Sequence, residues 1–255
     1  MDAYERQAKT LELLKQHSYV TVEDLSRITG VSKMTIRRDL DQLQESNLVA
    51  RHHGGVSLVS DHTANAEWPW RLRQTLNAEA KKKIGTVAAS YIKDGDIVML
   101  DGGSTVLQVA RSLAHRNLTV VSYCLTVLWE LSSRQNMEVI GVGGKLLPDN
   151  QSFVGSWTLN ILRSMNADVG IVGTSCLSLN KGLSNRAIEE AELKRTIVDA
   201  SAKSILVADS SKMHTHSLVT VGPIEMFDIF ITDPGIANED RKAIEALGVE
   251  VVVAE

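Results

Sequence analysis

Short apolar segments alternate with stretches of helical periodicity from residue 77 to residue 255, and this alternation constrains the fold more than any other feature of the sequence. The apolar segments are short and continuous, which is typical of strands that are buried on both faces. Strands are predicted at 97–100, 118–122, 138–141, 169–173, 205–208, 229–232 and 249–253, and helices at 105–115, 124–133, 156–165, 189–200 and 238–247. This order predicts an α/β domain with a mainly parallel sheet covered by helices on both faces.

The first 59 residues have a different pattern, in which three helices precede a hairpin. After a first amphipathic helix, Thr21 can cap a second helix, which ends at Gly30. Ser32 can cap a third helix, whose apolar face consists of residues at i, i+4 and i+7: Ile36, Leu40 and Leu43. Two short helices, a glycine-containing turn and a third helix predict a helix-turn-helix, whose last helix enters the major groove of DNA.

The opposite face of the third helix is cationic toward its N-terminal half. At about 100° per residue, five side chains point away from the apolar face: Lys33, Met34, Arg37, Arg38 and Asp41. The cations can pair with guanine edges or phosphates, and the hydroxyls of Ser32 and Thr35 offer further contacts. Arg37 and Arg38 taken alone also fit a solvated helix face, but the surrounding pattern favours DNA. Asp39 is interpreted as a salt-bridge partner inside the domain.

Residues 48–59 have the sequence LVARHHGGVSLV, which predicts two short strands around a glycine turn. Such a hairpin after a helix-turn-helix is a wing. Its tip is basic, because Arg51, His52 and His53 precede the flexible Gly54 and Gly55, and it could approach phosphates or the minor groove. The two histidines could instead be ordinary surface residues.

Residues 60–76 predict a linker between a DNA-binding domain at 1–59 and a second domain at 77–255. The linker opens with the sequence SDHTANAEWPW, in which polar and turn residues interrupt the hydrophobic periodicity. We expect its Trp68-Pro69-Trp70 segment to be ordered against the second domain. That domain begins with a helix on which Lys81–Lys83 are predicted to be solvated.

Composition excludes several classes of protein. No segment reaches the roughly 18 uninterrupted apolar residues of a membrane span, and the N-terminus lacks the features of a signal peptide. We therefore expect a soluble, cytoplasmic protein without membrane contact. Cys124 and Cys176 have no metal-ligand spacing, so neither a metal nor a cofactor is expected. The formal net charge of −4 implies that any contact with DNA is local.

Glycines, hydroxyls and lysines follow several predicted strands. The first strand is followed by Asp101, Gly102, Gly103, Ser104 and Thr105 and then by a helix. Glycines let the backbone approach a ligand, and a helix N-terminus favours an anion, so this is a phosphate-cradle pattern, although a structural tight turn fits the bare sequence equally well. Later strand ends supply Ser122, Gly143, Gly144, Lys145, Thr174, Ser175, Asp209, Ser210, Ser211 and Lys212. Convergence at the carboxyl ends of parallel strands predicts a site for a phosphorylated polyol.

Two motifs in the N-terminal domain resemble a known family. TIRRDL at 35–40, followed by RHHGG at 51–55, is similar to the signature of the DeoR, or deoxyribose-operon-repressor, family of sugar-metabolism regulators. The resemblance implies that the third helix and the wing bind double-stranded operator DNA. It assigns that role to Ser32, Lys33, Thr35, Arg37, Arg38, Arg51, His52, His53 and Gly54.

The second domain resembles the sensor domain of the same family in its DGGST, GVGGKL, EEAELKR and ADSSK motifs. The resemblance implies a fold similar to ribose-5-phosphate isomerase and coenzyme A transferases, with a sugar-phosphate effector that alters DNA affinity. It assigns effector contacts to Asp101, Gly103, Ser104, Thr105, Gly144, Lys194 and Lys212. One departure is Ser122-Tyr123, where the family usually has Thr-Asn, which puts the usual sugar contacts there in doubt.

The expected function is a repressor of a carbohydrate-metabolism operon, controlled by a phosphorylated sugar or related metabolite and acting as a homodimer or tetramer. An activator would use the same modules. The alternative is a sugar-phosphate isomerase fused to a DNA-binding module, with a general base among Asp101, Glu189, Glu190 and Glu192. Glutamates on such a helix are usually solvated or paired, as Glu190 with Lys194 at i,i+4, so no enzymatic activity is expected.

Overall fold

The computed structural model describes residues 1–46, 48–59 and 68–255, which form two units, Met1–Leu76 and Asn77–Glu255. Residues 60–67 of the predicted linker lie outside the described residues. Among the residues that are described, no helix has both the length and the apolar character needed to cross a membrane.

The N-terminal unit is a winged helix-turn-helix, as predicted. Its helices are α1 (Ala3–Gln16), α2 (Val22–Thr29), α3 (Lys33–Glu45) and α4 (Trp70–Thr75), and its strands are β1 (Val20–Thr21), β2 (Val49–His52) and β3 (Gly55–Leu58). The strands form an antiparallel sheet in the order β1-β3-β2. The predicted apolar face of α3 is buried, since Ile36, Leu40 and Leu43 are each 1% exposed. They pack with apolar side chains of α1 and α2 in one core.

Local hydrogen bonds set the ends of these helices. The Thr21 hydroxyl accepts from the backbone N–H of Asp24, and the Ser32 hydroxyl accepts from that of Thr35, so both predicted caps are confirmed. Gly30 ends α2 with a φ of +72°, also as predicted. The short turn between Gly30 and Ser32 therefore orients α3.

Helix α4 is a finding that the sequence patterns do not predict. It packs on α1, where Leu72 is 2% exposed in the N-terminal core and Trp68 contacts the same core. The prediction for Trp68-Pro69-Trp70 named the second domain, whereas the structure shows Trp68 helping to cover the small N-terminal core. The N-terminal unit extends to Leu76, beyond the predicted limit at residue 59. With 6 residues, α4 is too short to show helical periodicity.

The C-terminal unit is built on a seven-stranded parallel sheet. The strands are β4 (Ile97–Leu100), β5 (Leu118–Ser122), β6 (Met137–Gly141), β9 (Ala167–Gly173), β12 (Ser201–Val207), β14 (Ile229–Thr232) and β15 (Glu250–Val253). Their order in the sheet is β15-β14-β12-β9-β4-β5-β6. These are the seven predicted strands, and every pairing in the sheet is parallel. The predicted α/β class is confirmed.

Helices connect these strands at positions close to the predicted ones. They are α5 (Ala78–Ser90), α6 (Ser104–Ser112), α7 (Leu125–Leu131), α8 (Ser156–Arg163), α9 (Ile188–Asp199) and α10 (Asn238–Ala246). Two small antiparallel sheets were not predicted; their strands of 3 or 4 residues contain at most two consecutive apolar residues. One consists of β7 (Lys145–Leu147) and β8 (Ser152–Val154), and the other of β10 (Cys176–Ser178), β11 (Gly182–Asn185) and β13 (Val219–Gly222).

The order of the strands creates a topological switch point between β4 and β9. The chain runs outward from β4 through β5 to β6, then returns to β9 and runs outward in the other direction. Open parallel sheets bind their ligands at such a point, beyond the carboxyl ends of the strands. Asp101 follows β4 directly and Thr174 follows β9 directly, so two of the predicted strand-end residues lie at this position.

Candidate DNA-binding face and candidate effector site

The exposed face of α3 carries two arginines that are available for contact. Arg37 and Arg38 are exposed, and neither forms an ion pair with any residue that the structure describes. Met34, one turn earlier, is 66% exposed. The predicted division of α3 into a buried apolar face and an exposed cationic face is therefore confirmed, whereas DNA contact by these side chains stays a prediction.

The remaining predicted contacts at the start of α3 already have partners. The Ser32 Oγ lies 3.0 Å from the Thr35 Oγ1 and also caps the helix, so both hydroxyls help to define its first turn. Lys33 Nζ lies 3.1 Å from Glu23 Oε1 on α2. All of these groups lie near the surface, and a DNA phosphate would compete with their present partners.

The wing is a tight hairpin in which His53 and Gly54 connect β2 to β3. Gly54 has a φ of +86°, and a Cβ at Gly55 would overlap the ring of Tyr19. The Tyr19 hydroxyl donates to the His53 carbonyl at 3.2 Å. Sequence patterns did not single out Tyr19, although its position before β1 places it against the wing.

Side chains on the two wing strands form polar contacts within the N-terminal unit. His52 Nε2 lies 2.8 Å from Ser57 Oγ on the opposite strand, and Arg51 forms an ion pair with Asp41 of α3. Arg51 and His52 are nevertheless exposed. The hairpin therefore presents the predicted basic tip, with Arg51 held toward the recognition helix.

Asp39 is a structural residue, as predicted. Its carboxylate accepts two hydrogen bonds from Arg6 of α1, at 2.7 and 3.0 Å, and it is 4% exposed. A bidentate pair of this kind fixes the angle between α1 and α3. Asp39 is therefore unavailable to read a base.

Asp101 is the centre of a buried polar cluster at the switch point in the C-terminal unit. One carboxylate oxygen accepts from the Tyr123 hydroxyl, and the other accepts from Lys194 Nζ and from the Gly173 N–H, the latter at 2.9 Å. Lys194 also donates to the Gly173 carbonyl at 2.9 Å. Burial, followed by the negative charge of Asp101, raises the pKa of Tyr123 well above its ordinary value, so its phenol stays protonated.

This cluster gives several predicted effector contacts a structural partner. Asp101 is 1% exposed and Lys194 is 4% exposed, and each is the charge partner of the other. Helical spacing offered Glu190 as a possible partner of Lys194, and the structure shows an ion pair of Lys194 with Asp101. Ser122 donates to the Leu100 carbonyl at 2.8 Å and accepts from the Cys124 N–H at 3.1 Å, so its hydroxyl holds the ends of neighbouring strands.

The DGGST turn opens directly onto the first turn of α6. Gly103 has a φ of +142°, a conformation that L side chains rarely adopt, and a Cβ at Gly102 would lie 2.6 Å from Ser152 Oγ. Because Gly103 stands at the N-cap position, no side chain caps α6. Ser104 and Thr105 are each 8% exposed. The first turn of α6 can therefore offer backbone N–H groups and hydroxyls to an anion.

A second polar cluster surrounds Asp209 at the end of β12. Asn77 Nδ2 donates to Asp209 Oδ1 at 2.7 Å, and the Ser211 hydroxyl donates to the same oxygen. Burial alone would raise the pKa of Asp209, but the charges of Lys212 and Lys81 and these hydrogen bonds lower it below its usual value. Within the described part of the chain, Asp209 Oδ2 is buried without a hydrogen-bond partner.

The GVGGKL motif serves packing at one position and lies on the surface at the next. A Cβ at Gly144 would lie 2.6 Å from the Val154 carbonyl and would overlap the hydroxyl of Thr158. Lys145 begins β7 and is exposed. No hydrogen bond or ion pair within the described residues connects Lys145 or Gly144 with Asp101, and the effector contacts of both stay a prediction.

Sequence reasoning missed several members of the two clusters. Lys81 is 3% exposed rather than solvated, whereas Lys82 and Lys83 are exposed. Glu190 is 7% exposed rather than solvated, and it accepts from Asn185 at 3.2 Å. Helical phase alone does not identify these residues, because hydrophobic periodicity does not report polar partners such as Asp209 near Lys81 and Asn185 at Glu190. Only the departure at Tyr123 gave a signal in the sequence.

Comparisons with known proteins agree with this architecture. The family model of the DeoR-like helix-turn-helix domain matches residues 6–62, and that of the DeoR C terminal sensor domain matches residues 76–234. The glycerol-3-phosphate regulon repressor of Escherichia coli (strain K12) is 35% identical over 234 residues, which cover 91% of this chain and 92% of that protein. Transcriptional repressor AccR of Agrobacterium fabrum is 34% identical over 252 residues, which cover 98% of this chain and 97% of that protein.

A third relative matches nearly the whole chain, and one solved structure shows a weaker similarity. HTH-type transcriptional repressor GlcR of Bacillus subtilis is 33% identical over 251 residues, which cover 98% of this chain and 96% of that protein. A ribose 5-phosphate isomerase A from Methanocaldococcus jannaschii aligns with 54% of this chain and 55% of its own, at 14% identity and a TM-score of 0.40. The two family models and the full-length relatives place this chain in the DeoR family of DNA-binding transcription regulators.

Proposed function

We propose that this DeoR-family protein is an effector-controlled repressor of a carbohydrate-metabolism operon. The observation that carries the proposal is the uncapped N-terminus of α6, which lies at the switch point of the sheet in a chain that also exposes Arg37 and Arg38. The first feature suits an anion and the second suits a nucleic acid. A regulator that senses a phosphorylated metabolite needs both.

The DNA contacts are assigned to α3 and the wing. Arg37 and Arg38 are the leading candidates for base and phosphate contacts because they are exposed and have no ion-pair partner within the described residues. Lys33, Arg51 and His52 join them when DNA displaces their present partners, and His53 and Gly54 form the tip of the wing. Ser32 and Thr35 position the first turn of α3 and offer their hydroxyls to the backbone of the duplex.

The effector contacts are assigned to the first turn of α6. A phosphate there would accept from the backbone of Gly103 and from the hydroxyls of Ser104 and Thr105. Asp101 and Lys194 form an ion pair with each other and hold the surrounding strand ends in place. The name of the Escherichia coli relative refers to glycerol 3-phosphate, which supports a phosphorylated polyol or sugar as the class of ligand.

The active form is proposed to be a homodimer or tetramer. A single winged helix buries roughly 600–1,000 Å² on DNA, so useful specificity normally requires two half-sites. The sensor unit offers apolar surface for self-association, since Trp129 is 79% exposed and Trp157 is 77% exposed. Light scattering at micromolar concentration tests this, and a monomer with full operator affinity would contradict it.

The function is tested with an operator selected by the wild-type chain from a random duplex pool. Candidate sugar phosphates and polyol phosphates are titrated into the protein–operator complex, each beside its unphosphorylated form. We expect release of DNA by a phosphorylated compound and no response to the unphosphorylated partner. Equal responses to both forms, or selection of no preferred duplex, would refute the proposal.

Ser104→Glu tests the assigned anion site directly. A carboxylate at the start of α6 repels a phosphate and fills its place. The effector therefore no longer releases the protein from DNA, while binding to the operator persists. In cells the variant would repress its operon even when the effector is present. Ser112→Glu introduces the same charge at the other end of α6 and is the matched control. Urea unfolding of both variants shows whether the sensor unit remains folded.

An isomerase is the second candidate, because Glu190 is buried near the Asp101 cluster rather than solvated. A buried carboxylate is a plausible general base. The relatives described above are all named as repressors, which favours regulation. Steady turnover of ribose 5-phosphate by purified protein, abolished in Glu190→Gln, would establish the enzyme instead.

A further inference from the structure

The cations of the proposed DNA-binding face fall into two classes. Arg37 and Arg38 have no ion-pair partner within the described residues, whereas Arg51 is paired with Asp41. Asp41 lies one turn after Arg37 on the same exposed face of α3, and Arg51 lies on β2 of the wing. The ion pair therefore joins the recognition helix to the wing within the face that is assigned to DNA.

The geometry of the pair leaves it open to competition. The side chain of Arg51 is 33% exposed and that of Asp41 is 55% exposed. Surface ion pairs of this kind add little to the stability of a fold. The pair therefore needs another explanation, and its location suggests an effect on binding.

Pairing changes what Arg51 can contribute to DNA affinity. A cation increases sequence-independent affinity by neutralising a phosphate and releasing a counterion. A cation that already has a carboxylate partner releases less, and the carboxylate itself repels the phosphates. We propose that Asp41 is a specificity-determining residue, which holds Arg51 away from the phosphates of non-operator DNA and so suppresses binding that does not depend on sequence.

This inference rests on the proposed assignment of DNA contacts to α3 and the wing. It predicts that Arg37 and Arg38, which have no ion-pair partner within the described residues, each supply more of the non-specific affinity than Arg51 does. Arg51 contributes fully only where operator contacts hold the duplex close enough for a phosphate to replace Asp41. Discrimination would then come partly from a local competition between two anions for one guanidinium.

The test measures binding of the full chain to a random-sequence 20-base-pair duplex by fluorescence anisotropy over a range of salt concentrations. For Asp41→Asn we expect affinity at low salt to rise about threefold to tenfold, and the slope of log K against log salt to steepen by about 0.9, the value for one phosphate contact. The control is Glu45→Gln, which removes a charge from the same helix at an exposed residue with no ion pair among those described. Asp41→Glu, which keeps the charge, should resemble the wild type.

The mechanism is tested by adding Arg51→Gln. If Asp41 acts mainly through Arg51, the gain from Asp41→Asn is much smaller in the Arg51→Gln background, where only the direct repulsion between Asp41 and the phosphates is relieved. Equal effects of Asp41→Asn and Glu45→Gln, or an undiminished gain without Arg51, would overturn the inference. Arg37→Ala tests separately whether α3 and the wing contact DNA. If they do, this variant loses affinity for the same duplex, and that result does not depend on the role of Asp41. Circular dichroism verifies that each variant is folded.

Discussion

The two candidate sites hold their charges in opposite ways. On the DNA-binding face, Arg37 and Arg38 are exposed without ion-pair partners among the described residues. In the sensor unit, Asp101 and Lys194 are buried and paired with each other. An exposed cation keeps its hydration until a phosphate arrives, whereas a buried charge must be compensated within the protein. The same residue type in a motif can therefore be a contact in one unit and a support in the other.

The comparison is tested most severely at Lys194. Lys194→Met leaves the Asp101 carboxylate buried without its cation, so we expect the sensor unit to lose roughly 3–5 kcal/mol of stability. Urea unfolding, followed by circular dichroism, measures the loss. The double variant Asp101→Asn with Lys194→Met should lose less, because no uncompensated charge is left. A loss below about 1 kcal/mol in the single variant would show that Lys194 is not a support.

Tyr123 is the next largest contributor to the buried cluster. Tyr123→Phe removes the hydroxyl that donates to Asp101, and the loss of a hydrogen bond to a charged group costs about 1.5–3 kcal/mol. Burial and the charge of Asp101 raise the pKa of the phenol in the folded state. Its contribution is therefore present below the ordinary tyrosine pKa of about 10 and is lost as pH rises through the folded pKa.

The wild type should accordingly lose more stability than Tyr123→Phe when the pH is raised above about 10. Urea midpoints measured at neutral and alkaline pH give the comparison. If the two proteins lose the same stability at alkaline pH, the pKa of the Tyr123 phenol is not raised in the folded state. The same variant also shows whether this unusual residue affects the response to an effector.

The opposite outcome is expected on the DNA-binding face. Arg37→Ala or Arg38→Ala should weaken operator binding by roughly 1–3 kcal/mol, the range for a good base contact. Stability should be unchanged, because neither side chain is buried. Anisotropy titrations at fixed salt and urea unfolding measure the two effects. Unchanged affinity in both variants would remove α3 from the interface.

The smallest expected difference between buried and more exposed charges concerns Asp209 and Asp24, whose effects on stability appear at acid pH. The pKa of Asp209 is lowered despite burial by the charges of Lys212 and Lys81, and that of Asp24 is lowered first by the hydrogen bond from Thr21. A lowered pKa contributes stability above the ordinary carboxyl pKa of about 3.9, and this is lost as pH falls through the folded pKa. Both substitutions to Asn should reduce acid sensitivity.

The effect should be larger for Asp209→Asn, because Asp209 is buried while the Asp24 side chain is 40% exposed and therefore more accessible to solvent and salt. Urea midpoints between neutral pH and about pH 3 test the order. Adding salt should diminish the effect at Asp24 more than at Asp209. Equal salt dependence at the two sites would contradict the distinction between exposed and buried charges.

Local spacing was a reliable guide wherever a residue's neighbours in sequence are also its structural partners. The cap at Ser32, the buried face with Ile36 and Leu40, and the exposure of Arg37 all follow from helical geometry. The resemblance to the DeoR family, drawn from short motifs, is confirmed by both family models. The assigned contacts with DNA and effector remain predictions.

Spacing failed where the partners come from distant parts of the chain. Lys81 and Lys82 are adjacent and identical in sequence, yet one is buried and the other exposed. Lys194 has Glu190 one turn away, but it pairs with Asp101, which is 93 residues distant in sequence. A single sequence does not indicate which polar group lies across a sheet.

The strand-helix order, the polarity of α3 and the family could all be predicted from the amino-acid sequence, because they depend on periodicity and on contiguous motifs. The cluster of Asp101, Tyr123 and Lys194, in contrast, depends on how the chain folds in three dimensions. The parallel order of the sheet places the ends of β4, β5 and β9 together. Burial there removes water, so each charge must find its partner inside the protein, and the choice of partner depends on the packing of the whole sheet.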